Sequence, residues 1–99
     1  GSMGWKVTTI TAGCTLDETY NVVLIDSDTI INIYLPSATI CKHRVYTIKL
    51  INIGAKGSRI YPAGTERIDG KPWSPFETEM DFVKIISDGS NWYKIGTNF

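Results

Sequence analysis

At 99 residues the chain is long enough for one domain with a modest core and too short for two. Its 42% hydrophobic and 20% charged residues exclude a largely disordered chain, and no apolar run reaches the length of a membrane-spanning helix. Ten Lys and Arg balance ten Asp and Glu, so net charge supplies no case for nucleic acid or an anionic membrane as partner.

Gly1-Ser2-Met3 reads as a cloning remnant ahead of a single domain over residues 4–99. Lys6 to Thr11, rich in β-branched residues, predicts the first strand. Val22 to Ile25 is a continuous apolar run between Asn21 and Asp26, the pattern of a strand buried on both faces. Ile30 to Leu35 predicts a strand that stops at Pro36, which cannot donate to a ladder. Val45 to Asn52 alternates Tyr46, Ile48 and Leu50 against Thr47, Lys49 and Ile51. Ser58 to Tyr61 and the weak Glu66 to Ile68 follow, the latter closed by the turn dipeptide Asp69-Gly70. Residues 70–79, with Pro72 and Pro75 around Trp73, predict an irregular loop or edge. Phe82 to Ser87 and Trp92 to Ile95 flank Asp88-Gly89-Ser90-Asn91, the signature of a hairpin with a four-residue loop. Only residues 16–20 and 36–44 have room for a turn of helix, and no internal repeat stands out. About eight short strands, divided by turn signals every 8–12 residues, predict an all-β domain: a β-sandwich, jelly roll or small barrel.

Little in the chain suits catalysis. His43 is the one histidine, and its neighbours Lys42 and Arg44 oppose its protonation. No G-x-S-x-G is present, and Gly54-Ala55-Lys56-Gly57 lacks the spacing and the helix of a phosphate loop. Glu66, Asp69, Glu77 and Glu79 offer carboxylates for a glycosidase pair, but surface acids of this kind are common. No enzyme, cofactor or metal is expected. Cys14 and Cys41 are either two half-buried thiols or one disulfide, a choice that needs their separation in space. Charge is uneven: residues 42–71 hold seven basic side chains against two acidic ones, while the flanking segments are acidic. Such a segment forms either a solvated surface or one basic face for an acidic partner. Tyr46 and Tyr61 interleave with these cations, but strand alternation makes them core or interface, so nucleic acid is not expected.

The ordered set Asn32-Ile33-Tyr34-Leu35-Pro36, Tyr46-Thr47-Ile48-Lys49, Ile68-Asp69-Gly70 and Ser87-Asp88-Gly89-Ser90-Asn91-Trp92-Tyr93 resembles a small β-rich head module of phage and viral tail-fibre or tailspike proteins. It is similar also to head domains of bacterial collagen-like surface proteins. The resemblance spans roughly residues 15–96. It implies a homotrimeric sandwich of short antiparallel strands, forming the C-terminal head of a longer fibrous protein. The expected place is extracellular, on a virion fibre or a bacterial surface, without membrane insertion. The implied role is attachment to a cell-surface glycan or glycoprotein receptor. The alternatives are a structural cap that registers a trimeric stalk, or an adhesin head that binds sulfated glycosaminoglycan through basic residues. The shared motifs are turns and core strands, so candidate ligand contacts come from this chain's own features. Lys42, His43 and Arg44 stand where such modules more often have a short glycine-containing turn. Trp73 is held between two prolines, and Arg59, Arg67 and Lys71 complete the basic segment. Tyr20, Tyr34, Tyr93 and Phe99 are the candidates for a trimer interface.

Overall fold

The computed structural model describes residues 7–78 and 80–97. The described chain forms strands β1 (Val7–Ile10), β2 (Cys14–Thr15), β3 (Val22–Ile25), β4 (Asn32–Tyr34) and β5 (Val45–Leu50). A 3₁₀ turn over Ile53–Ala55 follows, then β6 (Arg59–Tyr61), β7 (Ser74–Pro75), β8 (Phe82–Ser87) and β9 (Trp92–Thr97). The fold is all-β. One sheet has the order β1-β3-β5-β8-β9 and the other β2-β4-β6-β7.

The antiparallel arrangement that the resemblance implied is overturned for the first six strands. From β1 to β6 the chain changes sheet at every connection. Each strand therefore pairs with the strand two places along, and both run the same way. β1 on β3, β3 on β5, β2 on β4 and β4 on β6 are parallel. Gly13 shows how tight the first crossing is: a Cβ there would lie 2.8 Å from the Asn32 carbonyl oxygen. Only after β6 does the chain reverse, and the pairs β6–β7, β5–β8 and β8–β9 are antiparallel. The last of these is the hairpin over Asp88 to Asn91. Both sheets are thus mixed.

Other elements also differ from expectation. Ile68 makes isolated bridges to Lys71 and Trp92 in place of a strand over 66–68. Part of the proline-rich segment is ordered as β7. Residues 16–20 and 36–44 form turns without a helix. β3 is buried on one face only: Val23 and Ile25 point inward, while Val22 and Leu24 remain half-buried on the outer face.

Period-two alternation builds the core. Val23, Ile48 and Val83 lie in register across three strands, with Ile25 beside Leu50 in the next row, and all five are fully buried. Ile33 and Ile60 form the matching inward row of the second sheet. All seven belong to one hydrophobic cluster. Each contributes roughly 1.5–3 kcal/mol through burial. Trp92 closes the hairpin end of the cluster, its ring 5.7 Å from that of Tyr46.

Polar side chains tie the connections to this core. The Ser87 hydroxyl donates to the Ala38 carbonyl at 2.8 Å, and the Ser58 hydroxyl accepts from the Ile31 amide at 2.9 Å. Buried Asp81 accepts from the Glu77 and Thr78 amides and from the Thr78 hydroxyl. Burial pushes the Asp81 carboxyl up, but these hydrogen bonds outweigh it and hold the group below its ordinary value. Cys14 and Cys41 are separate half-buried thiols, and burial pushes both up. No helix among the described residues is long and apolar enough to cross a membrane.

Candidate functional site

β6 is the centre of the site. Its alternation turns Ile60 into the core and leaves Arg59 and Tyr61 on the outer face of the second sheet. On one side, β7 pairs Pro75 with Arg59 and Ser74 with Ile60. That pairing brings Trp73, just before β7, under Arg59. The guanidinium carbon lies 4.6 Å from the Trp73 ring centroid, within cation–π range. Trp73 stays 39% exposed. On the other side, β4 places Tyr34 in register with Tyr61, and the two rings stack at 5.5 Å and 20°. Arg59 Nη1 donates to the Tyr61 hydroxyl at 3.3 Å.

A groove of about 540 Å³ opens beside Arg59 and Trp73. Lys56, Gly57, Pro75, Phe76, Glu77 and Thr78 complete its lining. Its floor is backbone held by ladder-like bonds: the Gly57 amide donates to Phe76 O at 2.7 Å and the Phe76 amide to Ser58 O at 2.9 Å. Gly57 has φ +95°, which permits this approach without side-chain strain. Asp81 fixes the Glu77–Thr78 wall from below. The groove is therefore preformed, with two cations, one indole face and one carboxylate among its described lining residues.

Arg59 and Trp73, both expected from sequence as ligand contacts, come together here. The other candidates lie elsewhere. Lys42 runs its methylenes beside Gly89, and the His43 amide donates to Ser87 O at 2.9 Å, so both flank the hairpin loop. The Arg67 amide donates to Asn91 Oδ1 at the same loop, and Lys71 pairs with Ile68 in the adjoining turn. Arg44 is engaged within its own chain. Its Nη2 donates to the carbonyls of Glu18 and Tyr20, and its guanidinium covers the Tyr46 ring at 5.4 Å.

The tyrosines expected at an interface also separate. Tyr20 packs against the core. Tyr34 and Tyr93 are exposed on the outer faces of different sheets, so they do not share one flat surface. Phe99 lies outside the described residues. Sequence reasoning missed Lys56, Phe76 and Glu77 as groove residues, and it took Tyr61 for core or interface. The alternation Arg59-Ile60-Tyr61 was the available signal for Tyr61, since a buried Ile60 turns both neighbours outward.

No group of three or more His, Cys, Asp or Glu side chains among the described residues is arranged to hold a metal ion. No protein-family model, curated protein or solved structure matches this chain.

Proposed function

We propose that this chain is a non-enzymatic head module that attaches to cell-surface carbohydrate, with Arg59 and Trp73 as its primary contacts. The observation that carries this reading is the guanidinium carbon held over the indole ring at the groove. An aromatic face suits the apolar face of a sugar ring. The guanidinium N–H groups beyond the one given to Tyr61 can donate to hydroxyl or acidic groups. Proline on either side of Trp73 lowers the entropy lost on binding. Glu77 is the one carboxylate among the described lining residues, whereas glycoside cleavage uses two.

The head reading further holds that the module is a two-sheet sandwich, displayed outside the cell on a virion fibre or bacterial surface, and that it works as a homotrimer. In support, the outer face of the first sheet carries Val22, Leu24, Val45, Ile86 and Tyr93, apolar side chains left half-buried or exposed. Packing that face against two further copies removes it from water and presents three grooves on one rigid body, which raises avidity. Immobilised-glycan binding by the intact chain and by Trp73→Ala tests the recognition claim. Binding that the substitution weakens supports it; equal binding by both proteins removes the groove from the account.

A further inference from the structure

We infer that the carbohydrate is an extended anionic chain, lying along a strip that continues from the groove over Arg59 and Tyr61 to Tyr34; this rests on the reading of the groove as a glycan site. Trp73, Arg59, Tyr61 and Tyr34 form an unbroken series of contacts across β7, β6 and β4: ring to guanidinium at 4.6 Å, guanidinium to hydroxyl at 3.3 Å, ring to ring at 5.5 Å. By strand spacing the series runs about 10 Å from Trp73 to Tyr34, longer than a single sugar unit. Tyr34 is 45% exposed, yet its ring is held by Tyr61 and its backbone by the β4–β6 ladder, so it meets a ligand already ordered. Polar neighbours border the strip: exposed Asn32 is in register with Arg59, and exposed Thr15 with Tyr34. These supply the hydrogen-bonding edge that sugar hydroxyls need beside the aromatic faces.

The anionic character follows from the groove end. Lys56 and Arg59 stand there against Glu77. The Arg59 guanidinium carbon sits over the Trp73 ring and Nη1 donates to Tyr61, which leaves the remaining N–H groups for a planar or tetrahedral anion such as carboxylate or sulfate. The same combination of rings and cations serves single-stranded nucleic acid in other folds. Nucleic acid, however, presents few hydroxyls, whereas exposed Asn32 and Thr15 border this strip with hydrogen-bonding groups. A sulfated or uronic-acid polysaccharide, which brings ring hydroxyls to Asn32 and Thr15 together with its anionic groups, fits better.

Titration with size-graded heparin oligosaccharides, neutral malto-oligosaccharides and oligothymidylate tests the inference on the intact chain, Tyr34→Ala, Tyr61→Ala and Trp73→Ala. Heparin hexasaccharide is expected to bind more tightly than disaccharide. Tyr34→Ala should weaken the hexasaccharide about tenfold, the size of one lost aromatic stack, and leave the disaccharide unchanged, while Tyr61→Ala, which also removes the hydroxyl held by Arg59, should weaken the hexasaccharide at least as much. Trp73→Ala should weaken both. Amide shifts in the unmutated protein provide a readout that does not depend on how the variants fold: hexasaccharide should move residues 32–34 and 59–61, and disaccharide residues 56–59 and 73–78 only. If length has no effect while Trp73→Ala still weakens binding, the strip is wrong and the groove stands. Equal binding of the neutral oligosaccharides overturns the anionic assignment. Tighter binding of oligothymidylate makes the strip a nucleic-acid surface. If no oligosaccharide binds, the groove reading itself fails.

Discussion

Tyr34 and Tyr61 stack at a centroid separation of 5.5 Å because β4 and β6 run parallel and place the two residues opposite one another. A hairpin between neighbouring strands would have set different residues side by side. The winding of the chain between two sheets therefore decides which aromatics meet on the outer surface, and with Arg59 and Trp73 it assembles the proposed binding strip from three strands.

The Arg59–Trp73 contact is predicted to matter for binding far more than for stability. Trp73→Ala should weaken glycan binding about tenfold or more, given the loss of one stacking face, while thermal unfolding shifts little. Arg59→Lys should weaken binding nearly as much as Arg59→Ala, because an ammonium cannot lie flat on the indole and present a fork of donors. Calorimetric titration alongside thermal melts separates the two effects.

Gly13 tests the sheet-to-sheet crossing. A methyl group at this position would sit 2.8 Å from the Asn32 carbonyl oxygen, one residue before the Cys14–Ile33 pair that opens the β2–β4 ladder. Gly13→Ala should cost about 1–3 kcal/mol, as overpacking usually does. Gly64, where nothing lies within 4 Å, is the comparison: its φ of +55° makes Gly64→Ala cost about 1 kcal/mol through backbone strain alone. Denaturant midpoints of the two variants check the order.

Asp81 gives the acid limb of stability. Its folded carboxyl is held below the ordinary value of 3.8, so its contribution is present above that pH and is lost as pH falls through the folded value. Unfolding measured downward from pH 5 should show a loss of stability below about pH 4 that Asp81→Asn lacks. At neutral pH that variant should be about 1–3 kcal/mol less stable, since a neutral amide with one accepting oxygen replaces a carboxylate whose two oxygens both accept.

Arg44 and Lys42 should behave oppositely. Arg44 holds the carbonyls of Glu18 and Tyr20 and covers Tyr46, so Arg44→Ala should cost about 1–3 kcal/mol and leave glycan binding unchanged once folded. Lys42→Ala should stay within about 0.5 kcal/mol. Chemical unfolding with parallel binding assays decides between them.

The proposed trimer predicts a mass near three chains by light scattering, stable on dilution. Tyr93→Asp, at an exposed position on the outer face of the first sheet, should give a folded monomer. A wild-type monomer at all concentrations would contradict the trimer and remove the avidity it supplies.

The strand content and much of the core were legible in the sequence, because alternation in β5 and β8 states which side chains turn inward. Asp88-Gly89-Ser90-Asn91 likewise announced the hairpin: the Asp88 carboxylate accepts from the Ser90 and Asn91 amides, and Gly89 takes φ +98°. Parallel pairing was not legible. Val7 is opposite Val22, and Val22 is opposite Thr47, so successive windings differ in length and leave no repeat to read. β2 and β7 are two residues each, too short for any period. Arg59 was readable as a candidate from the basic segment, and Trp73 from the prolines around it. Their contact depends on the Arg59–Pro75 register, which is a tertiary fact.

The most direct test of the central claim is the two-dimensional ¹H–¹⁵N spectrum of the Trp side chains during titration with heparin oligosaccharide. Trp73 is exposed at the groove rim, and Trp92 is fully buried in the core of the same molecule, which makes the second an internal control. The account predicts that the Trp73 indole N–H shifts saturably, together with the amides of Gly57, Arg59 and Glu77, while the Trp92 indole stays in place. An unmoved Trp73 with shifts confined to Lys42, His43, Arg67 and the hairpin loop would contradict it and move recognition to the opposite candidate cluster.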